Sequence, residues 1–504
     1  MADRMFASTR KGLIEYGKAG GAWSHTATHF IGQPVTNMLA DGRDGTLYAA
    51  LDLGHFGVKV HRSSDAGATW HELDSPKYPT APEGEDGPSL KMIWVLAAGA
   101  ADQPGRVWAG TLPGGLFRSD DRGDTWHLVE SLWTMPERQK WFGGGADEPG
   151  IHSICIDPRD GKRIAIGVSC GGVWVSEDDG GSWRVGSQGM WAAYVPEDAK
   201  YDPGIQDSHL IVQCPAAPDV WWCQHHNAMF RCADDLQSWH ELTDVPVSNF
   251  GFPVAVHPHD PDTAWFAPAK KDEFRYPVDG KVIVNRTRDG GKTFETLRNG
   301  LPQDNAFDLI YRHAFKVDDT GEELLMGSTT GALWHSANGG DSWQLITAHL
   351  APVYAVTFGQ EGRSVCAVRH ALRSRQRSRI QFVKQQAQAA QDQRRARDQH
   401  GDVDRCQSLR RLCDRSAVLC FRPAVSAEDQ TQHRGAKSER HLFHGRINAC
   451  ENAFAAQAGA PVVVFDRIRQ QGLADEQQAA GPNACDRRAH INIPFGIGCR
   501  AEHP

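Results

Sequence analysis

Short apolar runs recur through the first 360 residues, β-branched or aromatic in character and bounded by Gly, Asp and Ser, which is the pattern of strands separated by turns. One stretch shows the unit. Met92 to Ala97, Val107 to Gly110, Gly115 to Arg118 and Thr125 to Val129 read as four successive strands. The eight residues Ser119 to Trp126 join the third to the fourth. A short carboxylate followed by Gly suits a tight turn, because the carboxylate accepts from nearby backbone N–H groups and Gly accepts positive φ. The closing Trp then starts the next strand and packs inward.

That eight-residue segment recurs as Ser63 to Trp70, Ser119 to Trp126, Ser176 to Trp183, Cys232 to Trp239, Thr287 to Phe294 and Ser336 to Trp343. Its third positions, Asp65, Asp121, Asp178, Asp234, Asp289 and Asn338, are 56, 57, 56, 55 and 49 residues apart. A fixed period of this size marks stacked or radial repeats, and four strands per period is a propeller blade. A seventh, eroded copy runs from Gly12 to Trp23 with Lys18 in place of the acid. Met5 to Ser8 supplies the strand before it, but no innermost strand precedes that one. Val353 to Phe358 has the alternating character of the missing strand. The expectation is an all-β, seven-bladed β-propeller over residues 1–360, closed by pairing of its first and last strands, which leaves few free edges.

The pattern Ser-x-Asp-x-Gly-x-Thr-Trp resembles the Asp-box, or bacterial neuraminidase (BNR) repeat. Sialidase catalysis implies three arginines that grip a carboxylate, an Asp acid/base and a Tyr–Glu nucleophile pair. The aromatic-Arg-Ile-Pro motif that carries the first arginine is absent, and neither Arg10 nor Arg312 stands in it. The closer resemblance is to bacterial WD40/YVTN/BNR-like repeat proteins, and more distantly to photosystem II assembly-factor propellers, which bind proteins. The resemblance implies a ligand- or protein-binding scaffold, with a glycoside hydrolase that is not a true sialidase as the alternative and a His-lined metal site as a second.

Composition divides the chain. All 16 Trp and all 8 Tyr precede residue 355, whereas residues 361–504 carry 22 Arg against 2 Lys and 7 of the 12 Cys. That tail balances at +9, leaving −17 for the first 360 residues. The Arg373 to Arg379 run reads as an RNA- or acid-binding arm; the whole segment reads more simply as disordered or as a non-native, frame-shifted translation, since it builds no core. Cys406, Cys413 and Cys420 are too widely spaced for a zinc site. The acidic ring excludes nucleic acid as partner for the propeller. No apolar run is long enough for a membrane span, the start shows no signal peptide, and a cytoplasmic protein without cofactor is the expectation. Phosphate loops, dinucleotide fingerprints and Ser or Cys nucleophile motifs are missing. Cys155, Cys170, Cys214, Cys223 and Cys232 sit in apolar strand sequence and read as buried free thiols.

Candidate chemistry concentrates on the face opposite the repeated turns, where the loops are long and irregular. Two insertions, Trp133 to Gly150 and Met190 to Asp207, contain Glu137, Arg138, Asp147, Glu148, Asp202 and Asp207. They lead into strands headed by His152 and His209. Loops between second and third strands add Arg10, His55, His225, His226 and the excursion Lys270 to Tyr276 with Lys271, Glu273 and Arg275; Arg312 lies near a further inner strand. The expected ligand-binding set is Arg10, His55, Arg138, His152, His209, His225, His226, Lys271, Arg275 and Arg312. Glu137, Asp147, Glu148, Asp202, Asp207 and Glu273 are the carboxylates from which a hydrolytic pair would come. His152, His209, His225 and His226 are the candidates for a metal. The ligand at this face is a small molecule or carbohydrate, or a partner protein.

Overall fold

A computed structural model of the chain describes residues 3–359 apart from residues 85 and 145. The Arg-rich region from 361 onward lies outside the described residues. Seven four-stranded antiparallel sheets follow one another, each running from an innermost to an outermost strand. The innermost strands are Val35–Ala40, Met92–Ala98, Ile151–Ile156, Ser208–Cys214, Gly251–Val256, Phe315–Val317 and Val353–Gly359. Each packs against the next, and the last returns to the first. Val353–Gly359 pairs antiparallel with Arg4–Thr9, with Val356 opposite Ala7, so one blade takes its inner strand from the far end of the chain. The expected closure is the observed one.

The repeated turn is held by side chains that satisfy its own backbone. Ser63 Oγ donates to Asp65 Oδ1 at 2.8 Å and accepts the Gly67 N–H at 2.8 Å. Asp65 then accepts from the Thr69 N–H at 2.8 Å and the Thr69 hydroxyl at 2.7 Å. The same network recurs around Asp121, Asp178 and Asp289. Gly67, Gly123, Gly180, Gly291 and Gly340 take φ between 86° and 96°, which explains the invariant spacing of Gly. One copy departs: Cys232 replaces the hydroxyl, with Sγ 3.0 Å from Asp234, and Leu236 adopts φ 63° in the glycine position. Asp179, beside one of these turn acids, is paired with Arg106 at 2.7 Å and Arg118 at 3.1 Å.

Neighbouring blades are tied through these turns. Arg62, Arg184 and Arg286 donate to the backbone carbonyls of Arg122, Asp235 and Gly339 on the following blade, at 2.9, 3.5 and 2.8 Å. Trp265 donates its indole N–H to the same Gly339 carbonyl at 2.8 Å. Between blades lie Trp108, Trp221, Trp222 and Trp265, each fully buried. Truncating one to Ala costs about 3–5 kcal/mol, so the interfaces between blades, rather than a central core, carry the stability. The five propeller cysteines are free thiols, four of them buried. No helix among the described residues is long and apolar enough to cross a membrane.

Candidate functional site

The face away from the turns opens into a cavity of about 1260 Å³. Its walls come from connections between blades and from loops between second and third strands; no residue of the repeated turns lines it. Trp94, Phe142, Tyr194, Phe250, Phe252 and Tyr311 make it aromatic, and Arg10, Lys11, Arg275 and Arg312 line it together with Asp52, Asp207, Asp272 and Glu273.

At its floor the strand register assembles a cluster. Asp207 immediately precedes the strand Ser208–Cys214, and His226 immediately follows the strand Ala217–His225. Ser208 is opposite His225, so Asp207 and His226 become neighbours, and the His226 N–H donates to the Asp207 carbonyl at 2.9 Å. A register shift between Ser208 and Leu210 re-aims His209 toward the same point. Asp207 Oδ2 then stands 3.3 Å from His209 Nε2 and 3.3 Å from His226 Nδ1. The opposite nitrogens are also held: His209 Nδ1 lies 2.6 Å from the Gly251 carbonyl, and His226 Nε2 3.4 Å from Asp272 Oδ2. Asp207 Oδ1 accepts the Cys170 N–H at 3.2 Å.

Gly144, in the first insertion, closes over this carboxylate. A Cβ on Gly144 would fall 2.6 Å from Cys170 Sγ and 3.2 Å from Asp207 Oδ2, so only backbone can approach so closely. Ser169 donates to the Gly144 carbonyl at 3.1 Å, fixing the loop.

Electrostatics follow from this packing. Burial pushes the Asp207 carboxyl up, but His209, His226 and Arg312 outweigh it and hold the group well below the usual carboxylate range. Asp207 is therefore ionised. Burial pushes His209 below the ordinary imidazole range, against the pull of Asp207. Burial likewise drives the Cys170 thiol up, which makes it a poor nucleophile. Arg312 is buried with its guanidinium 4.8 Å from the Trp94 ring and 5.3 Å from the Phe252 ring. Desolvation lowers it to about 10, which leaves it cationic at neutral pH, and its Nε has no hydrogen-bond partner.

Of the expected residues, Arg10, His209, His226, Arg275, Arg312, Asp207 and Glu273 line this cavity. Others do not. His152 is buried with Nδ1 on Ser153 Oγ at 2.9 Å, and His225 packs edge-on to Phe230 at 5.4 Å. Neither reaches the point where His209 and His226 meet, so the four-histidine metal site does not form. Arg138 lies 3.6 Å over the Trp133 ring as a packing group, and His55 leans on exposed Phe56 at 3.9 Å. Lys271 is not part of the wall and pairs with Glu273, which is, at 2.6 Å. Glu148 is taken by Lys91 at 2.7 Å and Asp202 by Lys140 at 3.0 Å; Glu137 and Asp147 also stand away from the wall. Asp272, absent from the expected carboxylates, reaches the other ring nitrogen of His226, opposite Asp207. The Phe250 and Phe252 pair was also unforeseen, although alternate aromatics at the start of an inner strand are a usable signal.

The molecule is thus an all-β, seven-bladed propeller with one loop-built cavity that joins an ionised Asp–His–His floor to an aromatic, partly cationic wall. No family model matches the chain. It is 25% identical over 360 residues to a xyloglucanase of a Paenibacillus species, covering 64% of this chain and 32% of that protein. It is 23% identical over 268 residues to a probable oligoxyloglucan-reducing end-specific xyloglucanase of Neosartorya fischeri, covering 48% and 30%. The chain therefore spans about a third of the length of the curated relatives it matches. Among solved structures, an ancestral GH74 enzyme aligns with a TM-score of 0.45 at 17% identity, over 62% of this chain and 38% of that one.

Proposed function

We propose that this propeller is a glycoside hydrolase that takes an oligosaccharide into the loop-built cavity, with Asp207 and Asp272 as its working pair. The observation that carries the reading is their placement at opposite nitrogens of one imidazole, 3.3 and 3.4 Å from His226. Across the ring the carboxylates stand on the order of 8–9 Å apart, a distance in the range of about 6.5–9.5 Å of enzymes in which a water attacks and inverts the anomeric centre. Ionised Asp207 suits the base that activates this water. Asp272, with its side chain 42% exposed at the mouth, is placed to protonate the leaving oxygen. The rings of Trp94, Phe250 and Phe252 give the apolar faces of sugar units a surface to pack on. We read the repeated turns as Asp-box scaffolding for this face, without a chemical role of their own.

The relatives supply the first substrate class to try, a xyloglucan-type β-glucan. The full chain should release reducing ends from xyloglucan oligosaccharides with inversion, seen by proton NMR of the first product. Asp272→Asn should lower kcat about 10²–10⁴-fold. Binding without turnover would return the site to a scaffold role, and turnover unchanged in Asp272→Asn would overturn the assignment of the pair.

A further inference from the structure

The two imidazoles beside Asp207 each turn one ring nitrogen toward the same carboxylate oxygen, at 3.3 Å. His209 Nδ1 lies 2.6 Å from a backbone carbonyl, which only accepts, so the proton of the neutral ring belongs on Nδ1. Its Nε2 lone pair then faces Asp207 Oδ2 at 3.3 Å. His226 repeats the arrangement, with Nε2 toward the Asp272 carboxylate and Nδ1 toward the same Asp207 oxygen. Three electron-rich atoms converge.

We infer that Asp207, His209 and His226 form a binding site for one divalent transition-metal ion, with Asp207 Oδ2, His209 Nε2 and His226 Nδ1 as ligands. The three ligand atoms lie within 4.8 Å of one another. Metal bonds of about 2.0–2.2 Å to N and O set neighbouring ligands roughly 3.0–3.5 Å apart at ordinary coordination angles, which the two 3.3 Å contacts already satisfy. The outer groups are those that orient metal-bound histidines: a backbone carbonyl for His209 and a carboxylate for His226. Three protein ligands leave positions open toward the cavity, the mark of a site that carries water or substrate rather than a closed structural one. Imidazole and carboxylate donors without thiolate suit zinc, iron(II) or manganese, and zinc is the probe of choice. Arg312, whose positive field reaches Asp207, weakens the site, and Asp272 strengthens it.

This inference does not need the glycosidase reading, because binding is measured without sugar. If both hold, Asp207 acts through a metal-bound water, whose acidity the cation raises toward neutrality, and Asp272 keeps its part as acid. The experiment is a titration of the chelator-stripped full chain with Zn²⁺, followed by Co²⁺ substitution to read the ligand field by its visible absorption. One equivalent should bind, at least ten-fold more weakly in Asp207→Asn and in His226→Ala, each checked for native circular dichroism. Arg312→Met should bind more tightly. Co²⁺ should show ligand-field bands without the near-ultraviolet thiolate band that cysteine coordination produces. Zinc binding unaltered in both ligand variants, a thiolate spectrum, or no binding at all would each overturn the site.

Discussion

Removing the Glu15 carboxylate is the sharpest test of how the ring is held at its seam. Glu15 lies on the closing blade, and Arg4 on the strand beside it donates through Nε to Glu15 Oε1 at 3.0 Å while its Nη2 reaches the Ala66 carbonyl on the next blade at 2.9 Å. His29 adds a contact to Glu15 Oε2 at 3.3 Å, and the Arg4 and Glu15 side chains are only 5% and 6% exposed. Breaking one member of a buried pair costs about 3–5 kcal/mol, because the other charge is left without its partner. Arg4 retains the Ala66 carbonyl and the Phe6 ring face at 4.8 Å, so Glu15→Ala should fall at the lower end, about 3 kcal/mol. With an unfolding entropy of roughly 2.1 cal/mol/K per residue over about 355 residues, that is a Tm lower by about 4 °C. Burial raises the Glu15 pKa, but His29 and Arg4 outweigh it and set the folded value below 4.5. The contribution is therefore present above the unfolded value and fades as pH falls through the folded one, so the gap between wild type and variant should close in acid. Calorimetry at pH 7 and pH 3.5 measures both. A variant within 1 °C of wild type at pH 7, or a gap that widens in acid, would refute the reasoning; Arg4→Met with Glu15→Leu should recover most of the loss.

Gly144→Ala should cost only about 1–3 kcal/mol of stability by overpacking, yet lower hydrolysis or zinc affinity at least ten-fold, because its Cβ meets Cys170, Ser169 and Asp207. A fluorogenic sialoside should not be turned over, since Arg10 and Arg312 lack the motif of the sialidase arginine grip; turnover abolished by Arg10→Ala would contradict this. A chain ending at Gln360 should melt within a degree or two of the full chain and resist protease equally, because ring closure uses nothing beyond Gly359. A fall of many degrees would make the following region a domain.

The blades were legible because their marker is local: each turn satisfies its hydrogen bonds within eight residues, so residue type and spacing report the geometry directly. The seam was legible by subtraction, one blade lacking a strand and one strand lacking a blade. The cavity was less so. His225 and His226 are adjacent, but neighbouring side chains leave a strand end on opposite faces, so one lines the cavity and the other enters the core. Asp207 and His226 meet only through the pairing of Ser208 with His225, and Asp272 arrives from another blade. Charge on a loop could mark the face, but not which carboxylate would find a histidine and which a lysine, as Glu148 and Asp202 did.

The closing strand also sets a clock on synthesis. Of the described strands, Arg4–Thr9 leaves the ribosome first and its inner partner, Val353–Gly359, last. At about 5–20 residues per second the nascent chain must wait roughly 20–70 s before the two can pair. Throughout that interval six blades can assemble in order while the first keeps an open edge, able to recruit a strand from another molecule. Crowded polysomes, rather than heat, are then where this ring is most exposed to misassembly, and slowing translation over the last blade would lengthen the exposure without changing a single contact in the finished protein.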